Sequence, residues 1–248
     1  MADDLTEAGG KTRLYVTGDL GANKIVLLND GQTHYLLHVL RARAGNRVLL
    51  FNGREGEWLA EITQAGKRGV TLACLKRTEP QAGTPDIWLV FSPVKKTPSD
   101  YLVQKATELG VCVVQPVFTR RTIVNRINME RMAANAIEAA EQSARLIVPE
   151  IREAVTLERL LASWPKDRHL FFCDEGGTAR PLAEVARGTS GPAAIITGPE
   201  GGFDPAEREM LRALPFVIPV TLGPRILRAD TAALAALAVW QSVKGDCN

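Results

Sequence analysis

From residue 87 onward the chain alternates between short apolar runs and stretches with helical spacing, and no other feature constrains the fold as much. The runs Ile87–Phe91, Val111–Val117, His169–Cys173, Ala193–Thr197 and Phe216–Val220 have the length of strands and are too short for helices. Helical patterns fall between and after them, at Ser99–Leu109, Met129–Leu146, Leu157–Ser163, Pro181–Ala186, Pro205–Ala213 and Ala229–Val243. A strand that is apolar on both faces must be covered on both faces, and helices that follow each strand can do this. The pattern predicts an α/β domain built on a mostly parallel sheet.

Before residue 80 the signals differ. Leu14–Val16, Lys24–Leu28, Asn46–Phe51, Glu57–Ile62 and Val70–Leu75 read as strands, with Asn52-Gly53 as a hairpin-turn dipeptide. One helix interrupts them, Gln32–Arg41, which places Tyr35, Leu36, Val39 and Leu40 on one side. Several short strands with tight turns predict a small β-barrel over residues 1–80. The Pro- and Gly-rich stretch Glu79–Pro85 is the best linker candidate, and residues 85–248 are expected to form the second domain.

Composition removes several classes of function. A net charge of +2 announces no strong basic field, so RNA is allowed as a partner without being implied. Cys74, Cys112, Cys173 and Cys247 are scattered without a CxxC or a Cys/His cluster, which fits a reducing cytosol and predicts neither a zinc site nor a disulfide framework. His34 and His38 stand four residues apart, but no third ligand accompanies them, so no metal is expected. The acidic first ten residues lack an apolar core and are expected to fray, and no run is long enough to span a membrane. A cytoplasmic protein is expected.

The chemistry is concentrated in two glycine-centred loops, each after a predicted strand and before a predicted helix. The first is Thr197-Gly198-Pro199-Glu200-Gly201-Gly202-Phe203, and the second runs from Leu222-Gly223-Pro224-Arg225 through Ile226-Leu227-Arg228 to Asp230-Thr231. Neither is a Walker A loop or a GxGxxG fingerprint. Glycines let backbone N–H and C=O groups approach a ligand closely, and open α/β sheets bind ligands at their carboxyl-end crevices. The structural alternative for the first loop is a plain strand-to-helix turn, with Asp204 as N-cap and Pro205 at the first helical position. For the second it is a dipole-balancing Asp230 with two surface arginines. The last helix adds a separate constraint. Every residue from Ala232 to Val239 is Ala, Leu or Val, and Trp240 follows. A helix apolar all round is buried all round, which points to a partner copy, unless only one face of an Ala-rich helix is apolar.

The two loops closely resemble the signature of the ribosomal RNA small subunit methyltransferase E family, 16S rRNA uridine-N3 methyltransferases of the SPOUT class. The resemblance extends to Gln104–Val111, Ile137–Ser143 and, in the first domain, His34 and Val39-Leu40-Arg41. Asp230 departs from it, since the family usually has Glu there. The resemblance implies a PUA-like barrel followed by a SPOUT domain with a carboxyl-terminal trefoil knot, acting as a homodimer that binds S-adenosylmethionine at the subunit interface. By position it implies cofactor binding at Thr197, Gly198, Glu200, Gly201, Leu222, Gly223, Ile226, Leu227 and Arg228.

Methylation at uridine N3 requires loss of its proton. Glu200 is the candidate base, or else holds the loop or the cofactor. Arg225 is the candidate to stabilise charge developing on O2 or O4. Arg228 could equally be structural, paired with Asp230 or Glu200. For contact with 16S rRNA in the small subunit the candidates are Arg13, His34, Arg41, Arg43, Lys95, Lys105 and Arg120, with Arg47, Arg54, Lys96 and Arg121 continuing the positive character. Of the two histidines, one is expected to be structural and one to face RNA. The competing functions are ribose 2′-O-methylation by the same class of fold and a non-catalytic, RNA-binding role in ribosome assembly.

Overall fold

The computed structural model describes residues 12–66, 69–94, 96–174 and 179–247. The chain divides into two compact units, Met1–Gly83 with Ala140–Val148, and Thr84–Ala139 with Pro149–Asn248. In the first unit the strands are Arg13–Tyr15 (β1), Ile25–Leu27 (β2), Arg47–Phe51 (β3), Glu57–Gly66 (β4) and Gly69–Glu79 (β5). They form one sheet in the order β1-β3-β4-β5-β2, with β1 parallel to β3 and the other pairs antiparallel. Alternation along β3, β4 and β5 turns Val48, Leu50, Ala60, Ile62 and Leu72 into a core that Leu36 completes.

The β3–β4 connection is longer than an Asn-Gly hairpin. It occupies residues 52–56, and the Asn52 side chain, only 4% exposed, accepts the N–H groups of Arg54 and Glu55 (3.0 and 3.1 Å) and donates to the Gly18 carbonyl (2.9 Å). Gly56 closes the turn at φ +82°, where a Cβ would stand 2.2 Å from the Glu79 carbonyl oxygen. No other residue fits.

The predicted helix is present in altered form. Asn29 caps Asp30–His34 (α1) through a capping box with Gln32, and the chain then widens into a π-helical turn over Tyr35–Val39, where Leu40 N–H bonds to the Tyr35 carbonyl (3.0 Å). The extra residue per turn changes the facing. Leu36 is buried, whereas Tyr35 and Val39, expected beside it, are exposed.

Arg13 must be withdrawn as an RNA contact. It is 7% exposed, and its guanidinium donates to Glu57 Oε2 (2.7 Å) and to the carbonyls of Ala140 (2.8 Å) and Arg145 (2.8 Å) while lying 4.5 Å from the Phe51 ring. Tyr15 N–H bonds to Glu141 Oε1 (2.9 Å). These bonds attach residues 140–148 to the sheet and engage all three nitrogens of the guanidinium within the protein.

The second unit begins with Ile87–Phe91 (β6), Lys96–Glu108 (α2), Val113–Phe118 (β7) and Met129–Gln142 (α3). It continues through Glu150–Ile151 (β8), Val155–Thr156 (β9), Leu157–Ala162 (α4), His169–Cys173 (β10), Arg180–Pro181 (β11) and Leu182–Gly188 (α5). Ala193–Thr197 (β12), Pro205–Arg212 (α6), Val217–Thr221 (β13) and Ala229–Lys244 (α7) finish it. The strands pair in parallel in the order β11-β13-β10-β12-β6-β7-β8, and β9 joins β7. Every residue of β6 and β12 is buried, as their apolar composition requires. The mixed α/β expectation with a parallel sheet holds. Helix α3 stops at Gln142, short of Leu146, because Ala144 takes a left-handed φ of +57°.

Helix α7 packs on β12, α2 and α5. Its Ala233, Ala236, Leu237 and Trp240 are buried, but Thr231, Ala238 and Ser242 form an exposed stripe. Within one chain the helix is therefore not buried all round. Gln241, fully buried, fixes its end by donating to the Leu109 carbonyl (2.6 Å) and accepting the Asp246 N–H (3.2 Å). No described helix is long and apolar enough to cross a membrane.

Candidate active site

Three neighbouring parallel strands, β13, β10 and β12, end on the same edge of the sheet with Thr221, Cys173 and Thr197 as their last residues, Cys173 in register with Val220. The residues just past those ends line one cleft: Asp174 after β10, Gly198 after β12, and Leu222, Gly223, Arg225 and Leu227 after β13. The loops predicted from sequence thus meet.

Each loop has its shape for a stated reason. In the first, a Cβ on Gly198 would lie 2.9 Å from two carbons of the Phe203 ring, and Phe203 is itself 8% exposed and edge-on to Phe172 at 5.2 Å. Gly202, at φ +65°, turns the chain and bonds back to the Pro199 carbonyl (2.9 Å). Asp204 then caps α6 in a capping box with Glu207, with Pro205 following, so the structural role expected of this pair is real. The segment after β7 grips the same loop. Arg121 donates to the Gly201 carbonyl (2.9 Å), Arg120 reaches Asp204 Oδ1 (3.2 Å), and the Arg120 N–H bonds to the buried Glu207 (2.8 Å). In the second loop Gly223 sits at φ +111° with open space where a Cβ would be, and its N–H bonds to Thr221 Oγ1 (3.2 Å).

The structure sorts the candidates by cavity. Thr197, Gly198, Leu222, Gly223, Ile226, Leu227 and Arg225 line the first cleft. Glu200 and Arg228 line a second cavity of about 340 Å³ with Val94 and Asp230, sharing Ile226, Leu227 and Ala229 with the first. Gly201 faces neither, lying toward Arg121 and Asp174. Glu200 and Arg225 therefore stand on different cavities. Arg228 forms no ion pair with Asp230 or Glu200 among the described residues, and Asp230 instead accepts the Thr231 N–H (2.8 Å).

Asp174 belongs to the cleft without any signal in the sequence. Its side chain is 1% exposed and is held by Arg208 (2.5 Å) and Arg212 of α6. A lone Asp after an apolar strand carries no sequence pattern; only the pairing of β10 between β12 and β13 brings it to the cleft. Beside it Cys173 is partly exposed as a residue, yet burial of its thiol pushes it up to about 12. At pH 8 its thiolate is on the order of a thousandfold scarcer than that of an ordinary cysteine. Iodoacetamide is therefore expected to label the exposed Cys247 and leave Cys173 unmodified, as peptide mass mapping would show.

The surface candidates separate in a similar way. His34, Arg41 and Arg43 are exposed. His38 is exposed too, its ring 4.9 Å from that of His34, so neither histidine is a core residue. Lys105 is paired with Glu108 (2.6 Å), Arg47 with Glu61 and Arg54 with Asp19. Lys95 lies outside the described residues. Among the described residues no three His, Cys, Asp or Glu side chains group to hold a metal.

A family model described as an RNA methyltransferase domain matches residues 82–241, and a second, an RNA methyltransferase PUA domain, matches residues 28–73. The Ribosomal RNA small subunit methyltransferase E of Rickettsia conorii is 31% identical over 237 residues, spanning 95% of this chain and 97% of that protein. The crystal structure of the Neisseria gonorrhoeae protein of the same name, bound to S-adenosyl methionine, superposes with a TM-score of 0.88 at 30% identity, over 96% of this chain and 100% of that one. A Legionella pneumophila structure in complex with the bound cofactor SAM gives 0.86 at 29% identity, over 95% and 99%.

Proposed function

This chain belongs to the ribosomal RNA small subunit methyltransferase E family, and we propose that it transfers a methyl group from S-adenosylmethionine to N3 of a uridine in the 16S rRNA of the small ribosomal subunit. The observation that carries this is the convergence of the β10, β12 and β13 ends on one glycine-walled cleft, in a chain similar to that family from end to end. The cleft suits an adenosine. At Gly198 and Gly223 no side chain stands between the backbone and a ring edge, and Val220, Leu227 and Ala232 offer an apolar wall to a ring face.

When bound, S-adenosylmethionine supplies an electrophilic methyl on a sulfonium, so the protein's tasks are alignment and activation of the acceptor. Glu200, exposed on the second cavity, takes the N3 proton. Arg225 and Arg228 bracket Ile226-Leu227, the wall common to both cavities, and neither is ion-paired among the described residues. Arg225 is assigned to the charge developing on O2 or O4, and Arg225→Ala is expected to lower turnover by roughly a hundredfold with cofactor affinity unchanged. Unchanged turnover in steady-state assays would remove that role. Arg121 holds the first loop through the Gly201 carbonyl. Arg121→Ala is expected to weaken S-adenosylmethionine binding by about tenfold by calorimetry, the worth of one charge-assisted hydrogen bond.

The protein acts as a cytoplasmic homodimer with its carboxyl-terminal segment knotted. The exposed stripe of α7 and the 84% exposed Ile226 at the cleft leave surface for a second copy to cover. Light scattering on a size-exclusion column would report the dimer.

The reaction itself is tested by incubating isolated small subunits with methyl-labelled S-adenosylmethionine and digesting the RNA for nucleoside mass spectrometry. Label in 3-methyluridine is expected. Label on a ribose would transfer the chain to 2′-O-methylation, and no label would remove the enzyme.

A further inference from the structure

The carboxyl edge of the sheet does not stop at β12. Strands β6 and β7 continue it, and past the end of β6 opens a groove of about 760 Å³. Pro93, Val94, Ile127 and Met129 give it an apolar lining, and Asp100, Asn128 and Arg131 add polar groups. Val94 also lines the cavity of Glu200, Arg228 and Asp230, so the two spaces share a wall.

The charges in the groove are largely committed. Arg131 is ion-paired with Asp100, and Asn128 caps α3 by accepting the Arg131 N–H (2.9 Å). Glu130 lies in the first turn of α3, where the helix dipole favours it. Arg126 is different: it is exposed at the groove and has no ion pair or side-chain hydrogen bond among the described residues. A space with an apolar wall, hydrogen-bonding edges and a single uncommitted guanidinium fits a nucleotide: base against Pro93 and Val94, phosphate on Arg126.

We propose that this groove seats the nucleotide flanking the acceptor uridine in the RNA strand, with Arg126 as its phosphate anchor. The inference rests on the methyltransferase function proposed above. Enzymes that modify a base take it out of the stack, and the flanking nucleotides set context preference. Unstacked single strands are also where RNA sequence is read. A chain that places the acceptor base beside Glu200 leads its neighbour past Val94 into the groove.

Two measurements test it on the full-length protein with isolated small subunits and labelled S-adenosylmethionine. Arg126→Ala is expected to raise KM for the subunits about tenfold and to reduce the slope of log affinity against log salt by about one, the signature of one lost phosphate contact. Arg126→Lys should restore most of both, and calorimetric binding of S-adenosylmethionine should match wild type. An unchanged KM and salt slope with normal cofactor binding would overturn the groove assignment and leave the enzyme intact, whereas a wild-type protein that neither binds the cofactor nor methylates would overturn both. In the second measurement, a photo-reactive benzophenone amino acid replaces Ile127. The crosslinked nucleotide should be the immediate neighbour of the methylated uridine. A crosslink to a distant nucleotide, or to none, would overturn the proposal.

Discussion

Gly198→Val is expected to weaken S-adenosylmethionine binding at least a hundredfold, a loss of about 2.7 kcal/mol. A Cβ at this position meets two carbons of the Phe203 ring at 2.9 Å, and Phe203 cannot retreat because it is packed edge-on against Phe172. Relief has to come from the loop, which must swing toward the cleft that Gly198 lines. Overpacking of this kind also costs about 1–3 kcal/mol of stability, so the melting temperature should fall as well. Gly201→Ala provides the control. Its Cβ would meet only the Arg121 side chain, at 3.7 Å, and the residue faces away from both cavities. Calorimetry should find that variant close to wild type, and equal losses in the two would show that backbone crowding is not what shapes the cradle.

The second large effect lies in the first unit. Arg13→Ala is expected to destabilise it by about 3–5 kcal/mol, because the substitution strands a buried carboxylate. Glu57 is 7% exposed and among the described residues keeps only Thr78 Oγ1 (2.8 Å) as a side-chain donor once the guanidinium is gone, and the carbonyls of Ala140 and Arg145 lose the guanidinium. Urea unfolding followed by circular dichroism measures the loss. Arg13→Met combined with Glu57→Gln should recover part of it, since no charge is then left unpaired. If Arg13→Ala instead kept full stability and lost only affinity for RNA, the buried ion pair would have the wrong role.

What is legible in the sequence follows from what each element is made of. Strands β6, β10, β12 and β13 lie within a residue of their predicted positions because a fully buried parallel strand is written as a short apolar run. The two-residue strands β8, β9 and β11 are invisible there, because nothing in two residues has a period and only their neighbours make them strands. The π-helical turn is hidden for a related reason. Tyr35, Leu36, Val39 and Leu40 fit a 3.6-residue repeat, and the sequence does not record the extra residue that turns Tyr35 and Val39 outward.

The site shows the same division. Glycine loops announce themselves, because left-handed or crowded backbone admits little else, as at Gly198 and Gly223. Charged residues announce nothing about their partners. Arg13 and Arg126 look alike in the sequence, yet one is bonded inside its own unit and the other lines a groove with no ion pair among the described residues. Asp174 reads like any polar residue after a strand, and becomes a cleft residue only through strand order and its two arginines.

The cradle can be seen directly by diffraction from crystals of the full chain grown with S-adenosylmethionine. The electron density of the cofactor is expected between the two glycine loops, its adenosine against Gly198, Leu222, Gly223 and Leu227. Density elsewhere on the protein, with that cleft filled only by solvent, would contradict the assignment of these loops as the methyl-donor site.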